Sequence, residues 1–126
     1  MNAIENCKPY QYWGSHMILN CKGGDKDKVK DKEHIRAFVD ELVEKIKMEK
    51  HGDAIIEHFG AGNLAGITLV QLIKTSSIVF HFCDETGDAY GDVFSCKPFD
   101  AGVVLDVIQK YFSFKMVQNM KFDRGV

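Results

Sequence analysis

Ser76, His81 and Cys96 are the three side chains of this sequence whose types and spacing could do chemistry together. The histidine follows the serine by five residues, and the cysteine follows the histidine by fifteen. They lie in two stretches, Thr75-Ser76-Ser77-Ile78-Val79-Phe80-His81 and Asp92-Val93-Phe94-Ser95-Cys96, which read as neighbouring β-strands able to bring them together. A serine hydroxyl can attack the carbonyl that precedes it, an imidazole moves protons near neutral pH, and a thiol can deliver one. Each also has a plainer use. A serine pair makes turns, and Ser77 is as able to react as Ser76. A lone histidine between Phe80 and Phe82 can be a satisfied core residue, and Cys96 can be a small buried hydrophobe.

The elements that must position these residues follow from hydrophobic periodicity. Tyr12 to Asn20 reads as a strand ended by Lys22-Gly23-Gly24-Asp25. Ile35, Phe38, Val39, Leu42, Val43 and Ile46 keep the i, i+3, i+4, i+7 rhythm of an amphipathic helix over Asp31 to Lys50. Asp31 is placed to cap that helix, and His51-Gly52 to close it. Ala54 to Phe59, Ile67 to Ile73, Ile78 to Cys83 and Ala89 to Cys96 are apolar and β-branched enough for strands, separated by turns rich in Gly, Asp and Asn. Asp100 caps a second helix with Val104, Leu105, Ile108, Tyr111 and Phe112 as its apolar stripe, and Lys115 to Asp123 is a closing strand. Two such helices can cover one face of a mainly antiparallel sheet, so the expected fold class is α+β, a two-layer α/β sandwich. The other sheet face, rich in Phe and Val, would then be buried by a second copy of the chain, which predicts a homodimer.

With 126 residues the chain makes a single domain, 1–126. Its 45% hydrophobic and 27% charged residues suit a soluble globular protein. A net charge of −2 gives no basic field for nucleic acid, and Asp25, Asp27 and Asp31 largely cancel Lys26, Lys28, Lys30 and Lys32. No apolar run approaches the roughly 20 residues that span a bilayer, and the first residues lack a signal pattern, so no membrane partner is expected and the predicted compartment is the cytoplasm. Cys7, Cys21, Cys83 and Cys96 form no C-x-x-C pair and read as reduced thiols, Cys7 and Cys21 as structural ones. The five histidines are scattered singly, so no metal site is expected. Gly60-Ala61-Gly62 is too short and wrongly placed for a phosphate-binding loop.

The ordered set of motifs resembles the prokaryotic S-adenosylmethionine decarboxylases, small enzymes that make a pyruvoyl cofactor by cutting their own chain at an internal serine. Gly14-Ser15-His16 before Met17-Ile18-Leu19 looks like the family's opening Gly-x-His strand. Phe59, seven residues before Gly66, matches the family's adenine-stacking phenylalanine. The Ser76-His81-Cys96 spacing matches its catalytic residues, Glu85 matches its glutamate, Asp92 to Cys96 its Asp-Val-aromatic-Thr-Cys strand, and Arg124-Gly125 its closing pair. The departures cluster at the chemistry. Thr75 stands where glutamate usually precedes the cleavage serine, and Ser77 where histidine usually follows it. His81-Phe82-Cys83-Asp84-Glu85 replaces His-Thr-Trp-Pro-Glu, Ala65 replaces a serine or threonine, and the stretch from Gly66 to Ser76 is longer than usual.

The resemblance implies cleavage between Thr75 and Ser76 into chains 1–75 and 76–126, with a pyruvoyl group derived from Ser76 as the cofactor. His81 would carry protons in processing. The pyruvoyl carbonyl would form a Schiff base with the substrate amine, and Cys96 would reprotonate the substrate after carbon dioxide leaves. Phe59 would stack on adenine, and Glu85 could hold ribose hydroxyls or the substrate's amino group. The implied function is decarboxylation of S-adenosylmethionine, a small-molecule substrate, for polyamine synthesis. The departures leave two alternatives, a pyruvoyl-dependent arginine or ornithine decarboxylase, and a non-processing homologue that binds a ligand or regulates a partner enzyme.

Overall fold

Alternation along the strands decides the architecture. In the computed structural model, which describes residues 11–126, six strands form one antiparallel sheet. They are β1 (Tyr12–Lys22), β2 (Ile55–Phe59), β3 (Gly66–Ile73), β4 (Ser76–Phe82), β5 (Ala89–Ser95) and β6 (Met116–Gly125), in the spatial order β2-β3-β4-β5-β1-β6. Helices α1 (Lys32–Lys45) and α2 (Ala101–Phe112) lie against one face. Met17, Leu19, Cys21, Leu69, Ile78, Phe80, Phe82 and Val93 point to that face and are buried. Phe38 of α1 meets Phe80 of β4 edge-on at 5.3 Å and Phe112 of α2 at 5.0 Å, joining both helices to the sheet in one aromatic cluster. Gly91 makes room for it, because a Cβ there would enter the Phe80 ring. The α+β two-layer sandwich is the architecture expected from the periodicity. No helix of the described residues is long and apolar enough to cross a membrane. Cys7 lies outside the described residues.

The first helix is shorter than its periodicity predicts. Asp31 does cap it, accepting from the backbone N–H groups of Glu33 and His34. It ends, however, at Lys45 rather than Lys50. Lys47 adopts a left-handed φ of 61°, its N–H bonds to the Glu44 carbonyl, and the Met48 N–H bonds to the Val43 carbonyl. This pair of bonds is the Schellman stop that glycine normally provides. With lysine in the left-handed position, the sequence carries no sign of it. The second helix starts where expected, with the Asp100 carboxylate on the Gly102 N–H.

The opposite sheet face carries no helix. Its residues line up in rows across the strands: Ile55, Val70, Val79, Asp92, Ile18 and Met120 in the middle, and Leu72, Ser77, Phe94, His16 and Phe122 towards one end. Glu57, Thr68, His81, Tyr90, Asn20 and Gln118 form a row towards the other end. Ile55, Phe59, Leu72, Tyr90 and Met120 are each about half exposed on this face.

Candidate active site

The Thr75–Ser76 peptide sits in the tightest turn of the sheet. Ile73 pairs with Ser76, so only Lys74 and Thr75 connect β3 to β4. The Lys74 N–H bonds to the Glu49 carbonyl, which pins the turn to the segment after α1. On the other side, the backbone N–H of Cys96 donates to the Thr75 carbonyl at 3.0 Å. That carbonyl is the one a Ser76 hydroxyl would attack, and the Cys96 N–H is aimed at the oxygen on which negative charge would develop. The Thr75 hydroxyl is held as well, with Ser95 Oγ at 2.9 Å and Met48 Sδ at 3.3 Å. Ser76 faces Ser95 across β4 and β5.

Cys96 follows β5 directly and is exposed. Gly14 lies beside it, and any Cβ at Gly14 would strike the Ser95 carbonyl and the Cys96 backbone. The first glycine of the Gly-x-His strand thus lets β1 pass close to this cysteine. On the open face nearby, His16 packs between Phe94 and Phe122 at 5.2 and 5.3 Å. Arg124 approaches His16 Nδ1 at 3.3 Å, and Asp92 lies 2.9 Å from Nε2. An arginine can only donate, so Nδ1 accepts and Nε2–H donates to Asp92. Trp13, Phe94, Arg124 and Gly125 line a cavity of about 340 Å³ at this end of the sheet.

His81, Phe59 and Glu85 are somewhere else. His81 is five residues along β4 from Ser76, about 17 Å at strand rise, and the odd separation puts their side chains on opposite faces. A single chain therefore brings Ser76 and Cys96 together but leaves His81 away from both. At its own end His81 Nδ1 meets Thr68 Oγ1 at 3.1 Å, and Tyr90 is its neighbour on β5. Phe59 ends β2 at this side with 59% of its surface exposed. Glu85 stands exposed in the turn after β4, next to Asp84, whose carboxylate lies 2.6 Å from His58 Nε2. Thr68 was missed from sequence although a signal existed, because counting back from a two-residue turn at Lys74-Thr75 sets Thr68 opposite His81. The positions of Trp13 and His58 had no such signal, since they depend on contacts between distant segments.

Comparison with known proteins came down on one family. Residues 15–125 match the family described as S-adenosylmethionine decarboxylase. The S-adenosylmethionine decarboxylase proenzyme of Hydrogenobaculum sp. is 32% identical over 114 residues, covering 90% of this chain and 82% of the relative. That of Archaeoglobus fulgidus is 30% identical over 83 residues, covering 66% of this chain and 70% of the relative. The crystal structure of the adenosylmethionine decarboxylase from Aquifex aeolicus superposes with a TM-score of 0.78 at 27% identity, over 92% of this chain and 93% of that one.

The thiols should react in an order that this geometry sets. Burial pushes Cys21 up to about 12, which leaves almost no thiolate at pH 8. Burial also raises the Cys83 thiol, helped by the negative charges of Asp88 and Asp84. Among the described residues, iodoacetamide on the native protein at pH 8 should therefore modify Cys96 first, Cys83 more slowly and Cys21 only after unfolding, as read by peptide mass mapping. Early labelling of Cys21 would contradict the packing of β1 against the helices.

Proposed function

The chain belongs to the S-adenosylmethionine decarboxylase family, and on that premise we propose that it is a self-processing, pyruvoyl-dependent decarboxylase of S-adenosylmethionine serving polyamine synthesis. The observation that carries this reading is the Thr75 carbonyl, held by the Cys96 N–H immediately before Ser76. In processing, Ser76 Oγ attacks the Thr75 carbonyl carbon. The new C–O bond forms, the C–N bond breaks, and the hydroxyl proton passes to the freed amine. The Cys96 N–H stabilises the oxyanion on the way. Loss of the Ser76 Cα proton then breaks the Cβ–O bond, leaving Thr75 with a carboxylate. Hydrolysis of the new end of residue 76 releases ammonia and leaves the pyruvoyl group.

The residues around this end fit that group, since it would begin β4 beside Cys96 and below the aromatic cavity of Trp13 and Phe94. Its ketone supplies a point of attachment for the substrate amine and an electron sink as carbon dioxide leaves. Cys96 Sγ then returns a proton to the substrate's α-carbon, and Arg124 and the Asp92-bound His16 supply polar groups at the rim of the cavity. Phe59 stacks on the adenine, and Glu85 receives the ribose hydroxyls or the amino group.

His81, Phe59 and Glu85 reach the Ser76 end through a homodimer. A two-fold axis lying between two open sheet faces, across the strands near Val79 and Asp92, sets the Ser76 end of one copy over the His81 end of the other. Such an interface is self-complementary. It also covers Ile55, Leu72, Tyr90 and Met120, which the single chain leaves in water.

Two experiments test the reading. Carbon dioxide release should be seen with S-adenosylmethionine and not with arginine or ornithine, and Phe59→Ala should weaken S-adenosylmethionine binding about 5- to 150-fold, the worth of one stacked base. Release from a basic amino acid alone would overturn the substrate. For the dimer, Ser76→Ala and His81→Ala chains should each fail to process alone. Co-expressed, they should yield cleavage of the His81→Ala chain, because the mixed dimer retains one complete site. A His81→Ala chain that processes normally by itself would contradict the shared site.

A further inference from the structure

We propose that Ser95 is a positioning residue for self-cleavage, one that sets the Thr75 carbonyl for attack by Ser76; this rests on the self-processing function proposed above. Two consecutive residues, Ser95 and Cys96, grip Thr75 at two points, and the Lys97 N–H holds Ser95 in turn. Cys96 holds the carbonyl at 3.0 Å through its backbone N–H. Ser95, fully buried, holds the side chain with its Oγ 2.9 Å from Thr75 Oγ1. Ser95 Oγ also lies 3.7 Å from Met48 Sδ, a longer second acceptor, and the shorter contact with Thr75 sets the direction of its hydroxyl. The Lys97 N–H donates to Ser95 Oγ at 3.0 Å, Ser95 O–H donates to Thr75 Oγ1, and Thr75 O–H donates to Met48 Sδ at 3.3 Å. A hydroxyl that both accepts from the backbone and donates to the residue before the cleavage point is fixed in orientation, as is its target.

The consequence is geometric. A side chain and a carbonyl that are both tied to one strand end leave the Thr75 residue no freedom to rotate its carbonyl plane. Ser76 pairs with Ser95 on the same strand end, which holds its backbone beside that carbonyl. The short side chain of Thr75 brings its hydroxyl within reach of both Ser95 and Met48. Ser95 touches neither the bond that breaks nor the one that forms. It acts through Thr75.

The test is the rate of self-cleavage of purified precursor, followed by mass spectrometry with and without hydroxylamine, which cuts the ester once it has formed. Ser95→Ala should cleave about 10- to 100-fold more slowly, the cost expected of a displaced reacting group. Hydroxylamine should not restore the rate, because the slowed step precedes the ester. Ser95→Thr, which keeps the hydroxyl, should cleave near the native rate. Thr75→Val should be slow as well, and the double variant with Ser95→Ala no slower than either alone, since both break one contact. Thermal unfolding of each variant separates lost positioning from lost folding, and the Thr75→Val arm stands if Ser95→Ala does not fold. Equal rates for Ser95→Ala and the native chain would overturn the role of Ser95 alone. Full rescue of Ser95→Ala by hydroxylamine would overturn it too, by moving the defect to the later elimination. A native chain that never cleaves would instead remove the self-processing function on which it rests.

Discussion

The two-residue turn at Lys74 and Thr75 permits one pairing of β3 with β4, because a slip of a single residue would carry Ile78, Phe80 and Phe82 off the core and onto the open face. The aromatic cluster with Phe38 and Phe112 enforces that register from the helix side. Once it is set, Thr75 has to present its carbonyl outward from the end of the sheet, where the first residue beyond β5 can reach it. Ser76 then falls opposite Ser95, and Thr68 falls opposite His81. The chemistry at one end of β4 and the histidine at the other are thus placed by the same packing.

The sheet divides its labour by face. The helix side is dry and filled by Phe, Ile, Leu and Val, and it anchors the strands. The open side mixes half-exposed apolar residues with His16, His81, Asp92 and Arg124, groups that a core would have to neutralise. A strand residue that works on substrate has to stand on this open face or at a sheet end, since those are the only places it meets solvent. His81 and Phe59 stand on the open face, and Cys96 at a sheet end.

The sequence made much of this readable. Apolar, β-branched stretches bounded by turns located the six strands of the described residues to within a few residues, and Asp31 and Asp100 marked both helix starts, because capping is a local interaction. The end of α1 was not readable, since a left-handed Lys47 has no signature where glycine would. The same concealed turn brings Met48 under Thr75, so the contacts that hold the Thr75–Ser76 junction were hidden with it. The spacing from Ser76 to His81 was readable, but its meaning was not. Five residues on one strand separate two groups rather than join them, because an odd step of this length carries the second group to the far end and the other face.

The most direct measurement is the intact mass of purified protein after prolonged incubation. Cleavage after Thr75 of the 126-residue chain should give fragments of 75 and 51 residues. The second should weigh one ammonia less than a peptide beginning with serine, because its amine becomes a ketone oxygen while its side-chain oxygen leaves with Thr75, and it should have no free amino end. A single uncut chain of unchanged mass would contradict the account, and a cut before Ser77 would contradict the assignment of Ser76.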